Sequence, residues 1–90
     1  RFALEQAQRQ ASPLISQLRE AVESVRVSEI ERMSGRLGTF DEDQRAVVEA
    51  ITRSIVAKLL HNPSVRLRDA AGTPQGERLA AAVRDLFDLH

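Results

Sequence analysis

Ninety residues set one domain as the upper limit. Thirteen basic and thirteen acidic side chains cancel to a formal charge of zero, and 42% hydrophobic with 29% charged residues excludes both a disordered chain and a membrane bundle. The absence of Cys excludes disulfides and thiolate chemistry from these residues, and three aromatics, all Phe, exclude an aromatic base-stacking platform.

Helical spacing dominates the chain, and no Asn-Gly or Asp-Gly hairpin turn occurs. Residues 1–11 (RFALEQAQRQA) are polar and helix-permissive, and read as the end of an incoming helix cut from a longer protein. Ser12-Pro13 then has two readings. It is either a cap followed by Pro at the first helical position, or a kink inside one longer helix. From there Leu14, Ile15, Leu18, Val22, Val25, Ile30, Met33 and Leu37 recur near three and four. A helix running to Arg36 would be about 36 Å long, against a radius of gyration of about 12 Å for a compact chain of this size. It is therefore expected to project or to pair along its length, with Gly38 as a left-handed stop.

Asp41 with Gln44 three residues on predicts a capping box at the start of a second long helix. Val47, Val48, Ile51, Ile55, Leu59 and Leu60 form its apolar stripe, and His61-Asn62-Pro63 is expected to end it. A short connector helix over 64–71, a loop over 72–76 and a last helix over 77–89 complete the reading. The fold class is all-α: a helical bundle with two long helices, a short connector helix and a C-terminal helix, in a dimer.

Little here is catalytic. His61 and His90 are the only histidines, and no metal-ligand spacing accompanies them. Gly35, Gly38, Gly72 and Gly76 follow no strand, so they make no phosphate cradle, and no base is spaced to activate a Ser. No catalytic, cofactor-binding or metal residue is assigned. One charge asymmetry stands out. Between Glu49 and Asp69 there is no acid, whereas Arg53, Lys58, Arg66 and Arg68 fall there. These four either meet phosphates, as in a nucleic-acid-binding helical module, or form a solvated structural face. The apolar stripes also have two readings, an intramolecular core or a surface shared with a second copy. Ile15, Leu18, Val22 and Val25 of the first long helix, with Val47, Ile51, Ile55 and Leu59 of the second, are assigned to core or dimer interface.

The run Thr52-Arg53-Ser54-Ile55-Val56-Ala57-Lys58-Leu59-Leu60-His61-Asn62-Pro63-Ser64-Val65-Arg66-Leu67-Arg68 resembles the signature of the C-terminal dimerisation domain of glutamyl-tRNA reductase. Pro13-Leu14-Ile15, Leu18-Arg19, Ala21 and Leu86-Phe87 are similar to other parts of that domain, and Ser64 stands where Thr is common, which keeps the hydroxyl. The resemblance implies 1–11 as the end of a spinal helix and 12–90 as a helical homodimerisation domain. It implies a longer cytoplasmic oxidoreductase that uses NADPH to reduce glutamyl-tRNA to glutamate 1-semialdehyde in tetrapyrrole (porphyrin) biosynthesis. The nucleophilic Cys and the NADPH site would then lie outside these 90 residues, no membrane partner is implied, and the alternative reading of the basic segment 53–68, with Arg53, Lys58, Arg66 and Arg68, becomes a helical module that contacts tRNA.

Overall fold

A computed structural model describes the backbone of residues 2–90 and the side chains of 11–90. Four α-helices and no strand are found among the described residues: α1 (Phe2–Arg32), α2 (Ser34–Leu37), α3 (Glu42–Ala70) and α4 (Pro74–Leu86). The molecule is elongated. Its extents are 53 × 23 × 15 Å and its radius of gyration is 16.6 Å, well above the compact value of about 12 Å.

Pro13 lies inside α1, so of the two readings at that point the continuous helix is the one found. The helix breaks at Met33, and the single turn of α2 follows. Gly38 is right-handed, with φ −61° and ψ −19°, not the left-handed stop the sequence suggested. Its N–H instead closes the turn on the Ser34 carbonyl at 2.8 Å. The capping box at Asp41 is present: the Asp41 carboxylate accepts from the Gln44 N–H at 2.8 Å, and the Gln44 side chain accepts from the Asp41 N–H at 3.0 Å.

The largest departure from the sequence reading is at Pro63. It does not end the second long helix; α3 continues through it to Ala70, and 64–71 is no separate connector. The Pro ring removes the donor for the Leu59 carbonyl, an interruption that costs ~3 kcal/mol in an isolated helix. Burial of Leu60 and Leu67 on either side offsets it, at about 1.5–3 kcal/mol per large aliphatic side chain. His61 therefore sits mid-helix on the surface and not at a helix end.

The last connection is shorter than composition suggested. Thr73 caps α4 by accepting from the Gly76 N–H at 3.0 Å, and Pro74 takes the first helical position. Gly72 carries the left-handed φ of 82° that reverses the chain. Gly76 is forced by contact, because a Cβ there would lie 2.0 Å from the Ala70 carbonyl oxygen. Beyond α4 the chain turns at Asp88, and the His90 carbonyl accepts from Gln17 Nε2 at 3.0 Å, returning the terminus to α1.

The apolar core occupies one end of the molecule. Leu14, Ile15 and Leu67 are buried together, with Ala11, Leu79, Ala80, Val83 and Leu89 packed around them. Leu18, Leu60 and Ala71 extend this base. The rest is a two-helix arm formed by the distal halves of α1 and α3. Among the described residues from Ala21 to Leu59, only Arg26 is buried.

Candidate functional site

Arg26 has no place in an apolar stripe, yet it is 7% exposed. It occupies the fourth position of the series Leu14, Leu18, Val22, Arg26, Ile30, in which each residue sits one helical step of four from the last. Its guanidinium donates from Nε to Glu23 Oε1 at 2.9 Å, and from Nη1 to Glu49 Oε2 at 2.8 Å and Thr52 Oγ1 at 3.3 Å. Arg53 reaches the same Glu49 oxygen at 3.4 Å, so two arginines face two carboxylates. The hydrogen bond from Arg26 holds the Glu23 carboxyl below its ordinary range, and Glu23 and then Glu49 hold the Arg26 guanidinium above its own. The sequence reading missed this network. Its signal was a charged residue standing at an apolar position of the helical series.

The eight residues assigned to core or interface fall into two groups. Ile15 and Leu18 are buried in the base, and Val22 is half-buried at its edge. Val25, Val47, Ile51, Ile55 and Leu59 are exposed, with Val25 at 67% and Leu59 at 68%. On α3 the residues facing α1 are Val48, Thr52, Val56 and Leu60, one position further along than the exposed row. Val47, Ile51, Ile55 and Leu59 thus form a separate ridge, displaced around the helix. An apolar groove runs beside it between α1 and α3, lined by Val25, Ile30, Met33, Ile55 and Leu59 among others. It continues toward the base past Pro63 to Val83 and Phe87.

The four cations do not share one surface. Arg53 and Arg68 line a second groove, together with His61 and with Arg19 of α1. Lys58 and Arg66 are exposed elsewhere on α3. Among the described residues, no group of three or more His, Asp or Glu side chains is placed to hold a metal ion. No helix among them is long and apolar enough to cross a membrane.

An apolar face left open along a long helical pair is what a dimerisation element presents in a single chain. Residues 1–89 match the family described as glutamyl-tRNAGlu reductase, dimerisation domain. The chain belongs to that family. It is 44% identical over 90 residues, 99% of its length, to a glutamyl-tRNA reductase of Myxococcus xanthus, of which the match covers 20%. It is 45% identical over 80 residues to the glutamyl-tRNA reductase of Chloroflexus aurantiacus, covering 89% of this chain and 18% of that protein. The reductase of Crocosphaera subtropica is 46% identical over 78 residues, 86% of this chain and 18% of its own. The dimerisation-domain chain thus spans about a fifth of the length of these relatives. No solved structure gives a significant match.

Proposed function

We propose that this dimerisation domain joins two copies of a longer glutamyl-tRNA reductase by packing the arm of one copy against the same arm of another. The observation that carries the reading is the contrast along the molecule: the base has a buried apolar core, whereas the arm buries only an arginine and leaves Val25, Ile51, Ile55 and Leu59 in water. A two-helix arm of this kind gains too little from its own packing to offset the cost of ordering it. A second copy supplies the missing cover. The ridge Val47–Ile51–Ile55–Leu59 is a row of every fourth residue, the kind of ridge that seats in the groove of a facing helix pair. In an isologous pair each copy's ridge enters the other's α1–α3 groove. An interface of ordinary size buries about 800 Å² on each side.

The activity assigned to the longer protein is that named by its relatives, reduction of glutamyl-tRNA. We assign it NADPH as reductant, glutamate 1-semialdehyde as product, a place in tetrapyrrole (porphyrin) synthesis and a cytoplasmic setting. The 90 residues hold no cysteine, and no glycine-rich turn follows a strand among the described residues. Their part is read as pairing the subunits, on the exposed ridge of Ile51, Ile55 and Leu59. Residues 1–11 are read as the end of the incoming helix and 12–90 as the pairing domain.

Light scattering on the size-separated chain over roughly a hundred-fold dilution tests the reading. The expected mass is twice 10.0 kDa. A folded monomer at every concentration overturns it.

A further inference from the structure

Where the arm leaves the base, α3 is loosely tied. Pro63 leaves the Leu59 carbonyl without the donor four residues on. The next residue, Ser64, is 3% exposed, and its hydroxyl has no hydrogen-bond partner. A buried hydroxyl is normally satisfied. The acceptors within reach of a helical Ser are the carbonyls three and four residues back, here those of His61 and Leu60. Neither is used. The helix also has room at this level. On one side of Leu60 a groove of about 620 Å³ is lined by Leu59 and Pro63 against Val83 and Phe87 of α4. On the other side a groove of about 630 Å³ is lined by His61 and Ser64 against Arg19 and Glu20 of α1. Toward the base Leu67 anchors α3 in the core, and toward the arm Glu49 holds it to Arg26 of α1.

We propose that α3 has two shapes, straight as described here and bent at Leu59–Ser64, and that the Ser64 hydroxyl holds the bent one by donating to the Leu60 carbonyl. Back-bonding of a Ser hydroxyl onto the carbonyl four residues earlier bends a helix, and a Pro beside it has already removed one bond that resists bending. The straight shape keeps its packing and leaves the hydroxyl unpaired; the bent shape pairs the hydroxyl and shifts the packing. Bending tilts the half of α3 that carries Val47, Ile51, Ile55 and Leu59 against α1, and so sets the width of the apolar groove between the two helices. That consequence rests on the pairing reading, whereas the bend itself does not.

The test is distance measurement between paired spin labels, and the chain has no Cys to interfere. Asp43→Cys with Arg78→Cys spans α3 from arm to base, and Ser28→Cys with Arg78→Cys spans α1; all three positions are exposed. Labelled chain is diluted with unlabelled chain so that distances within one copy are read. The α3 pair should give a distribution about twice as broad as the α1 pair, as two populated shapes require. Ser64→Ala should collapse it to the straight distance, Ser64→Thr should keep both shapes, and Pro63→Ala should narrow it by restoring the donor. A single narrow α3 distribution in the unmodified chain overturns the proposal, as does a broad one that Ser64→Ala leaves unchanged. Light scattering on the same samples separates the two readings. Ser64→Ala should shift the dimer dissociation constant severalfold, and an unshifted constant overturns the link to groove width. A chain that bends but stays monomeric overturns the pairing reading and leaves the bend.

Discussion

Arg26 Nη1 of α1 lies 2.8 Å from Glu49 Oε2 of α3, and this ion pair ties the two long helices together at the arm's one buried residue. A buried charge pair contributes little net stability compared with apolar packing, but removing one partner strands the other. Its best-attested use is to fix register. Here it sets which turn of α3 faces which turn of α1, and so how the apolar ridge stands beside the groove.

The pair has a pH signature through Glu23. Its carboxyl is held below the ordinary range, chiefly by the hydrogen bond from Arg26. A carboxyl with a lower pKa folded than unfolded contributes stability that is complete above the unfolded value and is lost as pH falls through the folded one. Thermal stability should therefore decline as acid titrates the carboxylates, and Glu23→Gln should flatten that decline. The side chain is 45% exposed, so screening by water keeps the difference small. Superimposable Tm–pH curves for the two proteins would remove Glu23 from this role.

Ile51→Asp and Ile55→Asp test the ridge. Both side chains are about half exposed in the single chain, at 54% and 52%, so a carboxylate there stays hydrated until a partner covers it. The expected result is a monomer by light scattering that keeps its base, with faster amide exchange along the arm. A dimer of unchanged mass with either variant would mean that the ridge is not the contact.

Leu67 and Leu59 should behave differently although both are leucines of α3. Leu67→Ala opens the base core and should lower unfolding free energy by about 2–5 kcal/mol. Leu59→Ala removes an exposed side chain, so its effect should appear as a weaker, concentration-dependent dimer. Urea melts at two protein concentrations separate the two; equal, concentration-independent losses would contradict the division between base and arm.

Two glycines make a matched pair. Gly76→Ala places a Cβ against the Ala70 carbonyl and should destabilise by about 1–3 kcal/mol as α4 is pushed from α3. Gly35→Ala meets nothing within 4 Å and should stabilise by about 0.5–1 kcal/mol. Thermal unfolding of both variants decides, and a neutral Gly76→Ala would show that the contact relaxes freely.

Local chemistry carries much of this protein. The capping box at Asp41, the helical periodicity and the Lys58–Arg68 signature are properties of neighbouring residues, so the all-α class and the family are legible without a structure. Periodicity names apolar positions but not what covers them. Ile15 and Ile55 look alike in the sequence, yet one is buried and the other is open, because only the base has three helices to converge on it. Pro63 shows the same limit: a local stop signal yields when Leu60 and Leu67 are buried on both sides of it. Arg26 interrupted a stripe in the sequence, and tertiary structure alone brought Glu49 and Thr52 across to receive it. Local preferences are worth about 1 kcal/mol or less per ordinary residue, whereas burial of a large side chain is worth more, so packing decides wherever the two disagree.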